Sequence, residues 1–203
     1  MTEPASTEAE AADSTTIPLF PLGLVLFPGG QLPLKVFEQR YVEMTKSCLR
    51  NDSPFGVCLI RHGREVGEPA DHETIGCSAR ITNWEMPHPG LFHLLCSGER
   101  VFRVSRTHIE HKSLIVGDVQ WLDCKTGEMD SSHFDICRRT LERLIGSAGD
   151  GFFVGPARFD DAAWISYRLA ELLPLDTQGK QAMLAETDTG RRLATLAGLL
   201  PSS

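Results

Sequence analysis

His108 and His111 stand at the one spacing in this 203-residue chain that suits metal ligation. A structural metal needs about four ligands, and no cysteine or carboxylate stands at a partnering interval nearby, so residues 108–112 read as a solvated turn between two strands. His62, His72, His88, His93 and His133 are scattered and compose no Ser-His-Asp or Cys-His set. Cys96 could act as a nucleophile, but it follows two leucines in an apolar strand that would hide the thiol and raise its pKa, which makes it core filling. The paired carboxylates Asp160 and Asp161 fit a helix start better than acid/base work. Gly179-Lys180 is followed by Gln181 and has Pro174 where a phosphate loop needs its first glycine, and the glycine-rich residues 146–151 follow a helix instead of a strand. No catalytic residue, metal ligand or cofactor is therefore assigned.

With 41% hydrophobic and 23% charged residues, the composition is that of a soluble globular protein. Its most apolar stretch, Ile17 to Phe27, is broken by Pro18, Pro21 and Gly23 and falls short of the ~18 residues of a membrane helix, so no membrane partner is expected. The N-terminus has no basic region leading into an apolar core, and the six cysteines contain no Cys-x-x-Cys. Both features suggest a cytoplasmic chain with buried, reduced thiols. The net charge of −7 is carried by residues 1–16 and by the C-terminal third. No basic half exists, which disfavours nucleic acid.

Residues 1–16, rich in Ala, Glu, Ser and Thr, cannot offset the entropy of ordering and are expected to form a disordered acidic tail. From Ile17 to Gly30, short apolar runs between Pro and Gly suit two strands or extended segments. Phe37, Tyr41, Met44, Cys48 and Leu49 then recur at helical spacing, with Glu38, Arg40, Glu43, Lys46 and Arg50 on the other face. Runs at 55–61, 74–84, 91–97, 100–106 and 113–122 are rich in Val, Ile, Leu and Phe and predict strands. In the second, Ile75, Cys77, Ala79 and Ile81 alternate with Gly76, Ser78, Arg80 and Thr82, the mark of a sheet with one wet face. Ser97-Gly98-Glu99 reads as the tight turn of a hairpin. Beyond Leu122 the pattern is helical: Ser131 or Ser132 caps a helix carrying Phe134, Ile136, Cys137, Leu141, Leu144 and Ile145 and ending in Gly146. Asp160 or Asp161 opens a helix over 162–173 that Pro174 stops, and Asp176 and Asp188 cap two more.

Two linking segments hold more apolar matter than a loop needs. Residues 84–92 contain Trp84, Met86 and Phe92, and residues 149–156 contain Phe152 and Phe153. Such side chains either dock on the protein's own core or form a patch for a partner.

The order of parts resembles the N-terminal domain of the ATP-dependent Lon protease, a family also seen in cereblon and in stand-alone bacterial proteins. Ile17-Pro-Leu-Phe-Pro-Leu22, Leu26-Phe-Pro-Gly29, Leu32-Pro-Leu34 and Phe37-Glu-Gln-Arg-Tyr41 match its opening signature. Phe55-Gly-Val57, Ile75 to Ile81 and Gly98-Glu-Arg-Val-Phe-Arg-Val104 are similar to its later strands. Leu172-Leu-Pro-Leu175, Lys180-Gln181 and Arg192-Leu193 are similar to its helical part. The resemblance implies an α+β fold: a PUA-like antiparallel β pseudobarrel with one inserted helix over 17–125, then a helical bundle over 126–203. The motif residues themselves have an architectural explanation: the prolines fix φ, Phe37 and Tyr41 fall on the buried helix stripe, and Glu38 and Arg40 are expected to pair with backbone or with each other.

By the same resemblance the chain is expected to be a non-enzymatic module, lacking P-loop ATPase and Ser-Lys peptidase elements. It would recognise exposed hydrophobic polypeptide segments or a protein partner, through a groove at the β–helical junction and through Trp84, Met86, Phe92, Phe152 and Phe153. A sheet edge or apolar loop could also support a homodimer. The alternative is an RNA-binding PUA-like domain, for which Arg100, Arg103, Arg106 and Lys112 would be the phosphate contacts.

Overall fold

The structure is a computed structural model that describes residues 14–148 and 155–200. Strands β1 (Ser14–Leu22) and β2 (Gln31–Val36) come first, then helix α1 (Gln39–Asn51) and strands β3 (Phe55–His62), β4 (Asp71–His88), β5 (Leu91–Ile109) and β6 (Ile115–Leu122). Helices α2 (Ser131–Ala148), α3 (Ala162–Leu172), α4 (Thr177–Ala185) and α5 (Thr189–Leu199) follow. No helix among the described residues is long and apolar enough to cross a membrane.

The strands pair in the order β2-β5-β4-β3-β1-β6, and a further β5–β6 pairing closes five of them into a ring, with β2 outside on β5. One pair departs from the expected antiparallel pattern: β1 and β3 run parallel, because β2 and α1 form the crossover between them. The interior of the ring is apolar. Ile17, Leu19, Cys58, Phe102, Val104, Ile115 and Val119 fill it, and a Cβ on Gly76 would stand 2.5 Å from the Phe102 ring. For that reason Gly76 and Ser78 are buried as well as Cys77 and Ala79, and the expected wet face of β4 begins only toward Thr82.

β5 is one strand of 19 residues, not two joined by a turn at Gly98. Gly98 instead bonds across to the β1–β2 segment, accepting from the Gly29 N–H at 2.7 Å and donating to the Gly30 carbonyl at 2.9 Å. The hairpin turn lies at residues 89–90, between the His88 and Leu91 partners, with Gly90 at φ +83°. Ser14–Thr16, expected in the tail, belong to β1. Their backbone pairs with Asp118, Val119 and Gln120 of β6, and the Thr16 hydroxyl donates to Asp118 at 2.8 Å, so polar pairing replaces the missing apolar burial.

α1 is rotated from its expected setting. Phe37 precedes the helix and is exposed, while Arg40, assigned to the polar face, is buried with Tyr41, Val42, Met44, Thr45 and Cys48. Arg40 is accommodated because Glu38 pairs with it at 3.1 Å and its guanidinium lies 4.6 Å over the Tyr41 ring. That ion pair is the one the signature residues suggested.

Caps fix the helical half. Asp161, Asp176 and Asp188 accept from the amides of Trp164, Gly179 and Arg191 at 2.9, 2.7 and 3.0 Å. At α2 the carboxylate of Asp130, not a serine hydroxyl, takes the Ser132 amide at 2.7 Å. α2 continues through Gly146 to Ala148, and Ile136 faces outward.

One hydrophobic core runs through both halves, from Phe20, Phe27 and Tyr41 to Leu141, Trp164, Leu169 and Leu193. Polar stitches cross the same boundary. Arg168 donates to the Pro28 carbonyl at 2.7 Å and Gln181 to that of Ile75 at 3.0 Å. Five cysteines are buried, but Cys124 is exposed, its sulfur 2.8 Å from the Tyr167 hydroxyl.

Candidate functional site

Beyond the ring, residues 80–88 of β4 pair only with β5, and the other edge of that part of β5 carries β2. The result is a three-stranded arm. Cross-strand partners share a face, so the register pairs Val36 with Phe92, and Leu34 and Trp84 with Leu94, gather these side chains on one side. Val36, Phe92 and Leu94 are buried in the main core, while Trp84 is 51% and Met86 49% exposed. The Trp84 and Phe92 rings lie 5.9 Å apart at 53°, so Phe92 forms the floor on which the exposed indole rests.

Phe37 follows Val36 and lies at this same end of the arm, 53% exposed. Helical periodicity hid it, since Phe37 and Tyr41 stand at the right interval for one stripe. The signal that corrects this is Glu38, whose extended backbone and carbonyl bonds to Tyr41 and Val42 make it the helix N-cap.

The opposite side of the arm is mixed in character. Glu85 and His93 pair at 2.8 Å, and a cleft of about 280 Å³, which Trp84 and Leu94 also reach, opens beside them among Pro33, Asn83 and Leu95.

Of the five residues the sequence marked for binding, Trp84 and Met86 are on the surface and Phe92 lies beneath Trp84. Phe152 and Phe153 lie outside the described residues. The junction between the halves does hold a cleft, of about 380 Å³, but Arg61, Arg64, Glu65, Thr177 and Gln178 line it together with Leu59 and Ile60. Its character is charged, because Arg61 and Asp71 form a 3.0 Å ion pair and Glu65 accepts from the Gly23 amide at 2.7 Å.

Other candidates take architectural places. His108 pairs with Glu110 at 3.5 Å, and no group of three or more possible metal ligands occurs among the described residues. Cys96 is fully buried, and burial pushes its thiol up to about 12. Arg100 lies 4.8 Å over the Trp121 ring and 3.5 Å from Asp123, while Arg103 and Arg106 stand opposite Gln120 and Asp118. Lys112 lies 3.9 Å from Glu43, so three of the four supposed phosphate contacts have acidic or aromatic neighbours already.

The geometry has close counterparts among known proteins. A Lon N-terminal domain protein from Xanthomonas campestris is 36% identical, with a TM-score of 0.76 over 92% of this chain and 99% of that one. The N-terminal domain of a Mycobacterium avium complex Lon protease, 12% identical, shares the fold with a TM-score of 0.63 over 91% of this chain and 97% of that one. In sequence, the Lon protease of Paraburkholderia phytofirmans is 28% identical across 95% of this chain, and Lon protease 2 of Myxococcus xanthus 36% identical across 43%. The chain spans only 26% and 11% of the lengths of those two relatives. Residues 16–201 match the family described as the ATP-dependent protease La (LON) substrate-binding domain, and the chain belongs to that family.

Proposed function

We propose that this chain is a non-enzymatic binding module that holds exposed hydrophobic segments of polypeptides on the apolar end of its arm. The observation that carries the reading is the pair Trp84 and Met86, both about half exposed, with buried Phe92 as the floor beneath Trp84. An indole on a rigid support offers a large contact area with little side-chain entropy left to lose on binding. Phe152 and Phe153 are the second region we assign to substrate contact. The family match supports the substrate-binding role. A reducing cytoplasm is the compartment that suits a chain with six free cysteines.

A cellulose-bound array of overlapping peptides from unfolded bacterial proteins tests the proposal. Apolar and aromatic peptides are expected to retain the protein, and Trp84→Ala with Met86→Ala to lose most of that retention. Uniform binding across the array, or a double variant that binds as before, would refute it.

A further inference from the structure

The arm has two outer strand edges, and each is interrupted at its middle. On β2 the phase of the ladder follows from Gly98, which accepts from Gly29 and donates to Gly30. In an antiparallel pair, inward and outward backbone groups alternate. Leu32, Leu34 and Val36 therefore turn their amides toward β5, and Pro33 stands at an outward position, where its ring nitrogen offers no donor. On β4 the same alternation sends the Trp84 amide outward, because Asn83 and Glu85 face the inward groups of Leu95 and His93. That amide is occupied: it donates to Oδ1 of its own neighbour, Asn83, at 2.8 Å.

A strand added to either edge needs successive outward donors and acceptors at two-residue intervals. Pro33 removes one of them on β2, and Asn83 occupies one on β4. Both side chains are exposed, so core packing does not explain either residue. We infer that Pro33 and Asn83 are edge guards, which keep the arm from adding a strand and leave side-chain contact on its apolar face as the way polypeptide is engaged. The second half of this inference rests on the binding role proposed above; the first half does not.

Two consequences separate them. Substrate choice is governed by apolar side chains and is indifferent to the substrate's backbone amides, so a helical or turn segment fits as well as an extended one. Self-pairing of the arm, which an exposed apolar β edge invites, is suppressed by two side chains.

The test has a binding arm and an association arm. In the first, the unsubstituted protein is titrated with a Leu- and Phe-rich peptide and with the same peptide N-methylated at alternate residues, which cannot complete a β ladder. The two are expected to bind within about twofold of each other, and loss of binding on methylation would overturn the side-chain mode. Failure of both peptides to bind strikes the proposed function and leaves the guard role to the second arm. There, Pro33→Thr and Asn83→Ala are combined, folding is checked by circular dichroism, and mass is followed against concentration by sedimentation. A several-fold rise in average mass over the unsubstituted chain, with new intermolecular β signal in the infrared, is expected. An unchanged mass in the folded variant would overturn the guard role.

Discussion

Gly98 of β5 lies against the carbonyl of Phe27, so closely that a Cβ on this residue would overlap the Phe27 oxygen and stand 3.1 Å from the Leu26 side chain. The contact joins the two jobs of β5. Residues before Gly98 belong to the arm and residues after it to the ring, and at the crossing point the strand must admit a second backbone. Phe27, held there, reaches the Tyr167 ring at 5.9 Å and brings the helical half onto the sheet.

Gly98→Ala is accordingly expected to destabilise the fold by about 2–3 kcal/mol, the range for overpacking a site that cannot relax. Urea denaturation at neutral pH checks this. A cost below about 0.5 kcal/mol, as for an ordinary surface turn, would show that the glycine serves as a turn residue after all.

Gly98 also marks where the sequence stops being legible. Its neighbours Ser97 and Glu99 make a credible turn motif, and only the distant Phe27 reveals that the requirement is closeness instead of positive φ. Phe37 and Arg40 fail for the same kind of reason: helical spacing cannot tell that Glu38 pairs with Arg40 and lets a guanidinium enter the core. Local rules succeeded where the cause is local. Asp161, Asp176 and Asp188 cap the helices that their positions announced, and Cys96 lies in the core as its apolar neighbours require. Of the candidate site, the apolar content of residues 84–92 was readable. What was not readable is that these residues extend two strands, with Phe92 buried and Trp84 half exposed beside it on the same face.

Buried thiols make the fold sensitive to alkali. Burial raises Cys96 from 9.0 to about 12 and Cys137 to about 11, and it raises Cys48, Cys58 and Cys77 as well. Above pH 9 the unfolded chain releases thiol protons that the folded chain retains, so their contribution is complete below pH 9 and declines as pH climbs toward 11 and 12. Each such thiol steepens the decline by about 1.4 kcal/mol per pH unit. Urea midpoints measured from pH 8 to pH 10.5 should fall sharply in the upper half of the range, and a flat profile would contradict the burial of these sulfurs.

Arg168 joins the halves by a hydrogen bond and carries an ion pair within α3. It is almost fully buried, donates to the Pro28 carbonyl and pairs with Glu171 at 2.5 Å. Burial lowers the Arg168 pKa and raises that of Glu171, each opposed by the other's charge. Arg168→Met should therefore cost about 3 kcal/mol, because it strands a partly buried carboxylate. Adding Glu171→Gln should recover part of the loss, and a double-mutant cycle by denaturation measures the coupling. Additive effects of the two substitutions would mean that the pair contributes through packing alone.

Trp84→Ala separates binding from stability. The indole is half exposed, and its removal uncovers the edge of Phe92 without opening the core, so the denaturation midpoint should move by no more than about 1 kcal/mol. Affinity for an apolar peptide should fall by about tenfold, in the range expected when a supported aromatic anchor is lost. Isothermal titration with such a peptide, beside a thermal melt of the same sample, reads both quantities. A variant that melts far below the unsubstituted chain would place Trp84 among the structural residues; one that melts normally and binds normally would move the contact surface off the arm, toward Phe152 and Phe153.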